Sequence, residues 1–276
     1  MKTLEMGGRA VPVLGQGTWN LGDSATKRAA EIAALRRGIE CGLTLIDTAE
    51  MYGSGRSEHL VGEAIAGQRD RVYLVSKVLP SNASFEGTVR ACEASLQRLR
   101  TDVLDLYLLH WRGRYPLGET LRGLERLLEQ GKIRAWGVSN FDQDDMEELF
   151  TTPGGKACAA NQVLYNPEHR GIEYDLLHWC CRNGVALMAY SPVGQGGGLL
   201  SSAALRKVAQ KHGVSTAQVA LAWCLRKPLL AIPKASSIRH VEENAAAASL
   251  QLGPEDLAII DKAYPPPKRK QSLDML

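Results

Sequence analysis

Four side chains of the kinds that carry out acid–base chemistry come at related places in the sequence. Asp47, Lys77 and His110 each follow directly on a short apolar run, and Tyr52 lies five residues after Asp47. If those runs are neighbouring parallel strands, their carboxyl ends meet at one rim and the four side chains converge there. Each residue alone is more typical of a helix cap, a surface charge or a rim aromatic residue, so it is the combination that indicates a site.

The combination favours proton transfer to an oxygen atom that is gaining negative charge. A tyrosine phenol has an ordinary pKa of about 10 and donates its proton poorly at neutral pH, but a neighbouring lysine ammonium stabilises the phenolate. We therefore expect Lys77 to lower the pKa of Tyr52, and Asp47 to keep the buried ammonium charged. Neutral His110 would donate its Nε2–H to the same oxygen. Addition to a carbonyl group is the reaction that this arrangement suits.

A second reaction class uses the same lysine differently. In an imine-forming aldolase, a strand-end lysine of a barrel attacks the substrate carbonyl, and Lys77 would be that nucleophile. Asp47 argues against this alternative, because a neighbouring carboxylate raises the pKa of an amine and a nucleophilic lysine must first lose its proton. Both classes place the chemistry at the same rim.

The elements that position these residues alternate along the chain. Eight short apolar runs are typical of buried strands: residues 13–17, 43–47, 72–77, 105–110, 133–139, 159–163, 185–190 and 229–234. Amphipathic stretches typical of helices lie between them and include residues 24–40, 85–99, 117–130, 172–183 and 217–226. Eight β–α units in 276 residues predict an α/β fold, a closed (β/α)8 TIM barrel, with an open doubly wound sheet as the alternative.

Two appendages and one loop complete this prediction. Residues 4–11 place two glycines between short segments, which predicts a β-hairpin that caps one end of the fold. Residues 255–263 are predicted to form an extra C-terminal helix. The glycine-rich residues 194–198 directly follow a strand and are predicted to form a loop at the barrel mouth. Since no linker or composition shift divides the chain, we expect a single domain over residues 1–276.

Composition and charge exclude several classes of protein. The 33 Lys and Arg residues nearly balance the 30 Asp and Glu residues, which disfavours a nucleic-acid or lipid surface. The first 15 residues lack the apolar run of a secretory signal, and no 18 apolar residues run together. The six cysteines include no Cys-x-x-Cys pair and are expected to be buried thiols rather than disulfides or metal ligands. We expect a cytoplasmic protein with no metal site.

Eight segments, in order along nearly the whole chain, resemble the signature segments of a known family: Gly17-Thr18-Trp19, Leu45-Ile46-Asp47-Thr48-Ala49-Glu50-Met51-Tyr52-Gly53, Val75-Ser76-Lys77, Leu108-Leu109-His110-Trp111, Gly137-Val138-Ser139-Asn140-Phe141, Asn161-Gln162, Ala189-Tyr190-Ser191-Pro192 and Ile232-Pro233-Lys234. The family is the aldo-keto reductases, and the chain is most similar to its bacterial branch of methylglyoxal and general aldehyde reductases.

The resemblance implies a nicotinamide cofactor at the barrel mouth and direct hydride transfer to a carbonyl carbon. It also implies that Asp47, Tyr52, Lys77 and His110 are the catalytic residues, with Tyr52 as general acid. The implied cofactor-binding residues are Gly17, Thr18, Ser139, Asn140, Gln162, Tyr190, Ser191, Lys234, Ser236, Arg239, His240, Glu243 and Asn244. The implied substrate pocket is Trp19, Met51 and Trp111.

Within that set, the resemblance assigns parts of the cofactor. Ser139, Asn140 and Gln162 are implied to hold the nicotinamide carboxamide and Tyr190 to stack on its ring. For Ser139 and Asn140 the alternative is an ordinary N-cap of a helix over residues 142–150. No G-x-G-x-x-G follows a strand, so a Rossmann-type site is unsupported.

The adenosine end departs from the family pattern. His240 stands where many relatives have an arginine that binds the 2′-phosphate, and Arg239 lies one residue earlier. A histidine is a weaker and more pH-dependent phosphate partner than a guanidinium. We therefore expect NADPH as the cofactor, with NADH as the alternative.

The implied activity is reduction of small aldehydes or dicarbonyls to alcohols, and the sequence does not identify the physiological substrate. A catalytically silent, NADPH-binding regulatory subunit of the same fold is the remaining alternative, although all four chemical residues are present. We expect a monomer that binds a small carbonyl compound, and neither nucleic acid nor membrane.

Overall fold

The computed structural model describes residues 1–276, beginning with an antiparallel hairpin of β1 (Thr3–Met6) and β2 (Arg9–Pro12). Gly7 and Gly8 form its turn with φ of 60° and 75°, which residues with side chains rarely adopt. Met6 and Val11 are buried against inward-facing barrel residues, and the Tyr73 hydroxyl donates to the Met6 carbonyl at 3.2 Å. The hairpin therefore closes the amino-terminal end of the barrel, as predicted.

Eight parallel strands follow and pair in chain order: β3 (Gln16–Gly17), β4 (Leu45–Asp47), β5 (Tyr73–Val78), β6 (Leu106–Leu109), β7 (Trp136–Ser139), β8 (Ala160–Leu164), β9 (Ala186–Tyr190) and β10 (Leu230–Ala231). The first and last strands also meet. The Gly15 amide donates to the Ala231 carbonyl at 2.9 Å, and the Ala231 amide donates to the Val13 carbonyl at 2.8 Å. The predicted closed barrel is confirmed, although β3 and β10 are shorter than the predicted runs.

Ten α-helices surround or extend the barrel: α1 (Arg28–Glu40), α2 (Arg56–Ala64), α3 (Phe85–Leu99), α4 (Leu117–Glu129), α5 (Gln143–Thr151), α6 (Leu176–Asn183), α7 (Ala203–His212), α8 (Thr216–Cys224), α9 (Ile238–Ala247) and α10 (Pro254–Ala263). The last is the predicted extra helix. None of the ten combines the length and the apolar character that a bilayer crossing requires.

The apolar core has two layers. Inward-facing residues such as Leu45, Val75 and Met188 fill the barrel interior together with the hairpin. A larger layer, which includes Leu60 and Trp223, separates the strands from the surrounding helices. Because the interior is packed solid, ligands have access only at the rims, and the carboxyl-terminal rim carries the polar strand ends.

Candidate active site

Lys77 lies near the carboxyl end of β5 and is completely buried. Its Nζ lies 2.8 Å from Asp47 Oδ2, 2.8 Å from the Thr48 carbonyl oxygen and 3.2 Å from Tyr52 Oη. An ammonium has three N–H donors, so these three acceptors satisfy it fully. The side chains of residues 52 and 77 therefore lie together, as the predicted chemistry requires.

Asp47 keeps the buried ammonium charged. Burial acts to lower the pKa of Lys77, but the charges and hydrogen bonds of Asp47 and Tyr52 outweigh it, and the pKa is raised. The second carboxylate oxygen of Asp47 accepts a hydrogen bond of 2.8 Å from Gln162 Nε2. Asp47 is thus fixed from both sides, and Lys77 is a permanent positive charge at neutral pH.

Tyr52 differs from the prediction in the direction of its pKa shift. Burial of the phenol raises its pKa, and the opposing effect of Lys77 does not overcome this. Lys77 does lower the pKa of Tyr52, as expected, but burial raises it by more, so the predicted net increase in the acidity of the phenol is wrong. The phenol is fully protonated at neutral pH, and Lys77 stabilises the phenolate only once the proton has left.

His110 is neutral. Burial, together with the charge of Lys77, lowers its pKa to about 2. Its Nδ1 is buried without a hydrogen-bond partner, so the protein offers no acceptor for an Nδ1–H. We therefore assign the proton to Nε2, on the side of the ring that the protein leaves free. The rings of His110 and Tyr52 meet edge to face, with centroids 5.8 Å apart.

One cavity of about 1030 Å³ opens above these side chains. Most of the residues that sequence reasoning selected line it: Gly17, Thr18, Trp19, Asp47, Met51, Tyr52, His110, Trp111, Ser139, Asn140, Gln162, Tyr190, Ser191, Lys234, Arg239, His240, Glu243 and Asn244. Lys77 lies behind this wall. Ser236 does not line the cavity, so its selection as a cofactor contact has no support from the geometry.

Hydrogen-bonding side chains meet at the part of the cavity nearest His110. Asn140 Nδ2 donates to the His110 carbonyl and to Ser139 Oγ, both at 3.2 Å, while Asn140 Oδ1 accepts from the Tyr190 hydroxyl at 2.9 Å. Asn140 has a φ of 59°, a strained value that is typical of functional sites. Gln162 Oε1 has no protein donor. The side chain that caps α5 is Asp142, so the alternative role of Ser139 and Asn140 as its caps is wrong.

Basic side chains lie at a second part of the cavity, after β10. Lys234, Arg239 and His240 line it, and Ser237 caps the first turn of α9 there. Arg239 Nε donates to Glu243 Oε1 at 2.8 Å, although the arginine side chain is 81% exposed. Cations beside a helix N-terminus suit an anionic group such as a phosphate.

The whole length of this barrel, from residue 13 to residue 265, matches the sequence model of the aldo/keto reductase family. The chain belongs to that family. The methylglyoxal reductase YeaE of Escherichia coli strain K12 is 54% identical over 272 residues, which cover 97% of this chain and 96% of the relative. The glyoxal reductase of Bacillus subtilis strain 168 is 37% identical over 259 residues, which cover 92% of this chain and 89% of the relative.

Solved structures of the family agree with the fold. A crystal structure of an aldo/keto reductase from Klebsiella pneumoniae in complex with NADP and acetate has a TM-score of 0.98 and 53% sequence identity. The comparison covers 100% of this chain and 99% of that one. The family resemblance seen in the sequence is therefore confirmed.

Sequence reasoning missed some of the cavity wall. The lining residues that were not selected as site residues are Asn20, Pro192, Val193, Gln195, Gly196, Leu200, Ser215, Thr216, Ala217, Ile232, Met275 and Leu276. Of these, Gln195 and Gly196 belong to the loop that was predicted at the barrel mouth. Ser215 and Gln218 form a capping box at the start of α8, a pattern that is readable in the sequence. Met275 and Leu276 carry no such signal, because only the path of the chain brings them to the rim.

Proposed function

We propose that this family member is an NADPH-dependent reductase of small aldehydes and 2-oxoaldehydes such as methylglyoxal, with Tyr52 as general acid. The observation that carries the proposal is the contact of Lys77 Nζ with both Asp47 and Tyr52 at the floor of the large cavity. The names of the similar E. coli and B. subtilis proteins support the substrate class.

The residues present fit a nicotinamide cofactor. Gln162 Oε1, which has no protein donor, can accept from a carboxamide, and Ser139 and Asn140 offer further polar groups beside it. Lys234 and Arg239 are matched to phosphate charge. When bound, the cofactor supplies a hydride to the carbonyl carbon. The NADP complex of the K. pneumoniae relative supports the choice of cofactor.

The chain's own residues supply the proton. We propose that Tyr52 Oη and His110 Nε2 both bind the substrate carbonyl oxygen and polarise it. As negative charge develops on that oxygen, the Tyr52 proton moves to it, and the resulting phenolate is stabilised by the Lys77 ammonium at 3.2 Å. Asp47 prevents that ammonium from losing its own charge.

The imine-forming alternative conflicts with the state of Lys77. A nucleophilic amine needs a free electron pair, but the raised pKa of Lys77 keeps the proton in place, and all three N–H groups are engaged. Its burial behind Asp47 and Tyr52 also keeps the nitrogen away from a bound carbonyl.

Steady-state kinetics test the proposal. Purified protein with NADPH should oxidise the cofactor in the presence of methylglyoxal, and binding measurements should give a lower Kd for NADPH than for NADH. Tight NADPH binding without turnover of any aldehyde, 2-oxoaldehyde or ketone would contradict the catalytic role and support the regulatory-subunit alternative. Borohydride trapping of a covalent substrate adduct would support the aldolase instead.

We further propose that residues 1–276 form one catalytic domain that acts as a cytoplasmic monomer on small carbonyl compounds. All of the proposed catalytic residues come from one chain, so the site does not need a second copy of the chain to be complete. The six cysteines are free thiols, which suits a reducing compartment. Light scattering on the eluting protein tests the monomer, and a dimer at micromolar concentration would contradict it.

A further inference from the structure

Three buried hydroxyl groups form a continuous hydrogen-bonded chain beneath the proposed site. Thr48 Oγ1 donates to Ser57 Oγ at 3.2 Å. The Ser57 hydroxyl donates to Thr18, and its Oγ lies 2.8 Å from Thr18 Oγ1 and 3.0 Å from the Thr18 carbonyl oxygen. Thr18 Oγ1 donates to the Asp47 carbonyl at 2.9 Å. All three residues are fully buried.

This chain of hydroxyls holds the peptide that joins Asp47 to Thr48. The Asp47 carbonyl accepts from Thr18, and the Thr48 amide donates to the Val75 carbonyl of β5 at 3.0 Å. The next carbonyl, that of Thr48, accepts from Lys77 Nζ at 2.8 Å. The hydroxyl chain therefore sets the position of an acceptor for the Lys77 ammonium.

The position of that acceptor decides where the third N–H of Lys77 points. The three N–H bonds of an ammonium have fixed tetrahedral angles, so two well-placed acceptors determine the direction of the third bond. Here the two are Asp47 Oδ2 and the Thr48 carbonyl, and the third bond is directed at Tyr52 Oη.

Ser57 lies at the centre of the hydroxyl chain, and its own position is fixed. It stands in the first turn of α2, and the next residue, Glu58, is fully buried. Glu58 accepts from Ser76 Oγ at 2.6 Å and from Arg98 Nε. Since Ser76 directly precedes Lys77 on β5, the start of α2 is joined to the strand that carries the ammonium.

We infer that Ser57 is a positioning residue for proton transfer: through Thr48 and Thr18 it holds the Lys77 ammonium in line with the Tyr52 hydroxyl. This inference rests on the proposed function, because it concerns the efficiency of the proton donor in that reaction. Ser57 itself does not line the cavity, although its partner Thr18 does, so its loss should affect proton transfer more than binding of substrate and cofactor.

The first test compares Ser57→Ala with a matched control. We expect kcat for methylglyoxal reduction to fall about tenfold, the rate equivalent of one hydrogen bond, and to change by more than KM or the NADPH Kd. Thr120→Ala also removes a buried hydroxyl, one that donates to the Ala83 carbonyl at 2.6 Å away from the site. It should lower thermal stability but leave kcat unchanged. Equal losses of kcat in the two variants would overturn the inference.

A second pair of variants serves if Ser57→Ala fails to fold. Thr48→Val keeps the shape of the side chain but removes its hydroxyl, whereas Thr48→Ser keeps the hydroxyl. We expect Thr48→Val to lower kcat several-fold and to raise the pH at which alcohol oxidation reaches half its maximum, because the phenolate of Tyr52 is less stabilised. Thr48→Ser should retain the wild-type pH profile. The same profile in both variants would overturn the inference.

A measurement without cofactor separates this inference from the proposed function. In heteronuclear NMR of the free protein, hydrogen exchange of the Lys77 ammonium should be about tenfold faster in Ser57→Ala than in the wild type or Thr120→Ala, the change that corresponds to one hydrogen bond. Unchanged exchange would overturn the inference whatever the activity. Lack of turnover by the wild type, with the predicted exchange, would count against the proposed function alone.

Discussion

Burial and charge act in opposite directions on the ionisable side chains at the centre of the proposed site. For Lys77 the charge of Asp47 prevails and the ammonium persists, whereas for Tyr52 burial prevails and the phenol keeps its proton. The proton donor and the cation that stabilises its conjugate base therefore coexist at neutral pH. The conversion of Tyr52 to phenolate is coupled to the appearance of charge on a substrate oxygen.

The neutral state of His110 predicts a pH dependence of stability. Its pKa is about 2 in the folded protein and about 6.5 in the unfolded chain, so below about pH 6.5 the unfolded chain binds an extra proton. This contribution to the free energy of unfolding is present above about pH 6.5 and declines as the pH falls. Between about pH 6.5 and 5.5, the free energy of unfolding of the wild type should fall by about 1 kcal/mol more than that of His110→Gln.

Urea unfolding of both proteins across that pH range checks this prediction. Parallel stability curves for the wild type and His110→Gln would mean that the imidazole charges in the folded protein.

At this scale, sequence reasoning located the candidate catalytic residues because their strands end in them. It did not give the direction of the Tyr52 pKa shift, which depends on how far the phenol is buried. It also missed Ser57, because a serine after Gly55 and Arg56 is indistinguishable from an ordinary helix-start residue until its hydroxyl partners are known.

The element that carries Tyr52 is the segment between β4 and α2, and it is held against the chain that follows β5. Glu50 Oε1 accepts from the Leu79 amide at 2.7 Å and from Asn82 Nδ2 at 3.0 Å. Both donors come a few residues after Lys77, so the carboxylate joins the two elements whose side chains must meet. Sequence patterns predicted β4 and β5 but not this connection, because a carboxylate bonded to a distant backbone amide leaves no periodic signal.

Removing the hydrogen bonds that Glu50 accepts should destabilise the protein, and a neutral hydrogen-bond acceptor at the same position should restore most of the stability. Glu50→Ala leaves the Leu79 amide without its partner and should lower the free energy of unfolding by about 1 to 2 kcal/mol. Glu50→Gln retains a carbonyl oxygen that can accept from the same amide and should lose less than half as much. Chemical denaturation measures both, and equal losses would show that the negative charge, rather than the hydrogen bond, is what stabilises the segment.

At the scale of the whole molecule, the two ends of the barrel have different roles, one structural and one in the proposed chemistry. The amino-terminal end is closed by the hairpin, where Met6 is 1% exposed, and the carboxyl-terminal rim carries the cavity. Glycine positions and strand-to-helix alternation were sufficient to predict both the hairpin and the closed barrel. The approach of Met275 and Leu276 to the rim was not predictable, because it depends on the path of residues 264–276.

This division predicts that the hairpin end affects stability without affecting chemistry. Met6→Ala should lower the free energy of unfolding by about 2 to 5 kcal/mol through the cavity that it leaves. Its kcat for methylglyoxal should stay within twofold of the wild type at a temperature where both are folded. Denaturant unfolding and steady-state kinetics on the same preparation check the two parts, and a large fall in kcat with intact folding would contradict the separation.

Tyr52→Phe tests most directly whether Tyr52 is the source of the proton. The variant keeps the ring beside His110 and removes only the hydroxyl that lies 3.2 Å from Lys77 Nζ. We predict that kcat for methylglyoxal reduction falls by about 10²-fold or more, while the Kd for NADPH, measured by fluorescence titration, stays near the wild-type value. Turnover at the wild-type rate would show that Tyr52 is not the source of the proton.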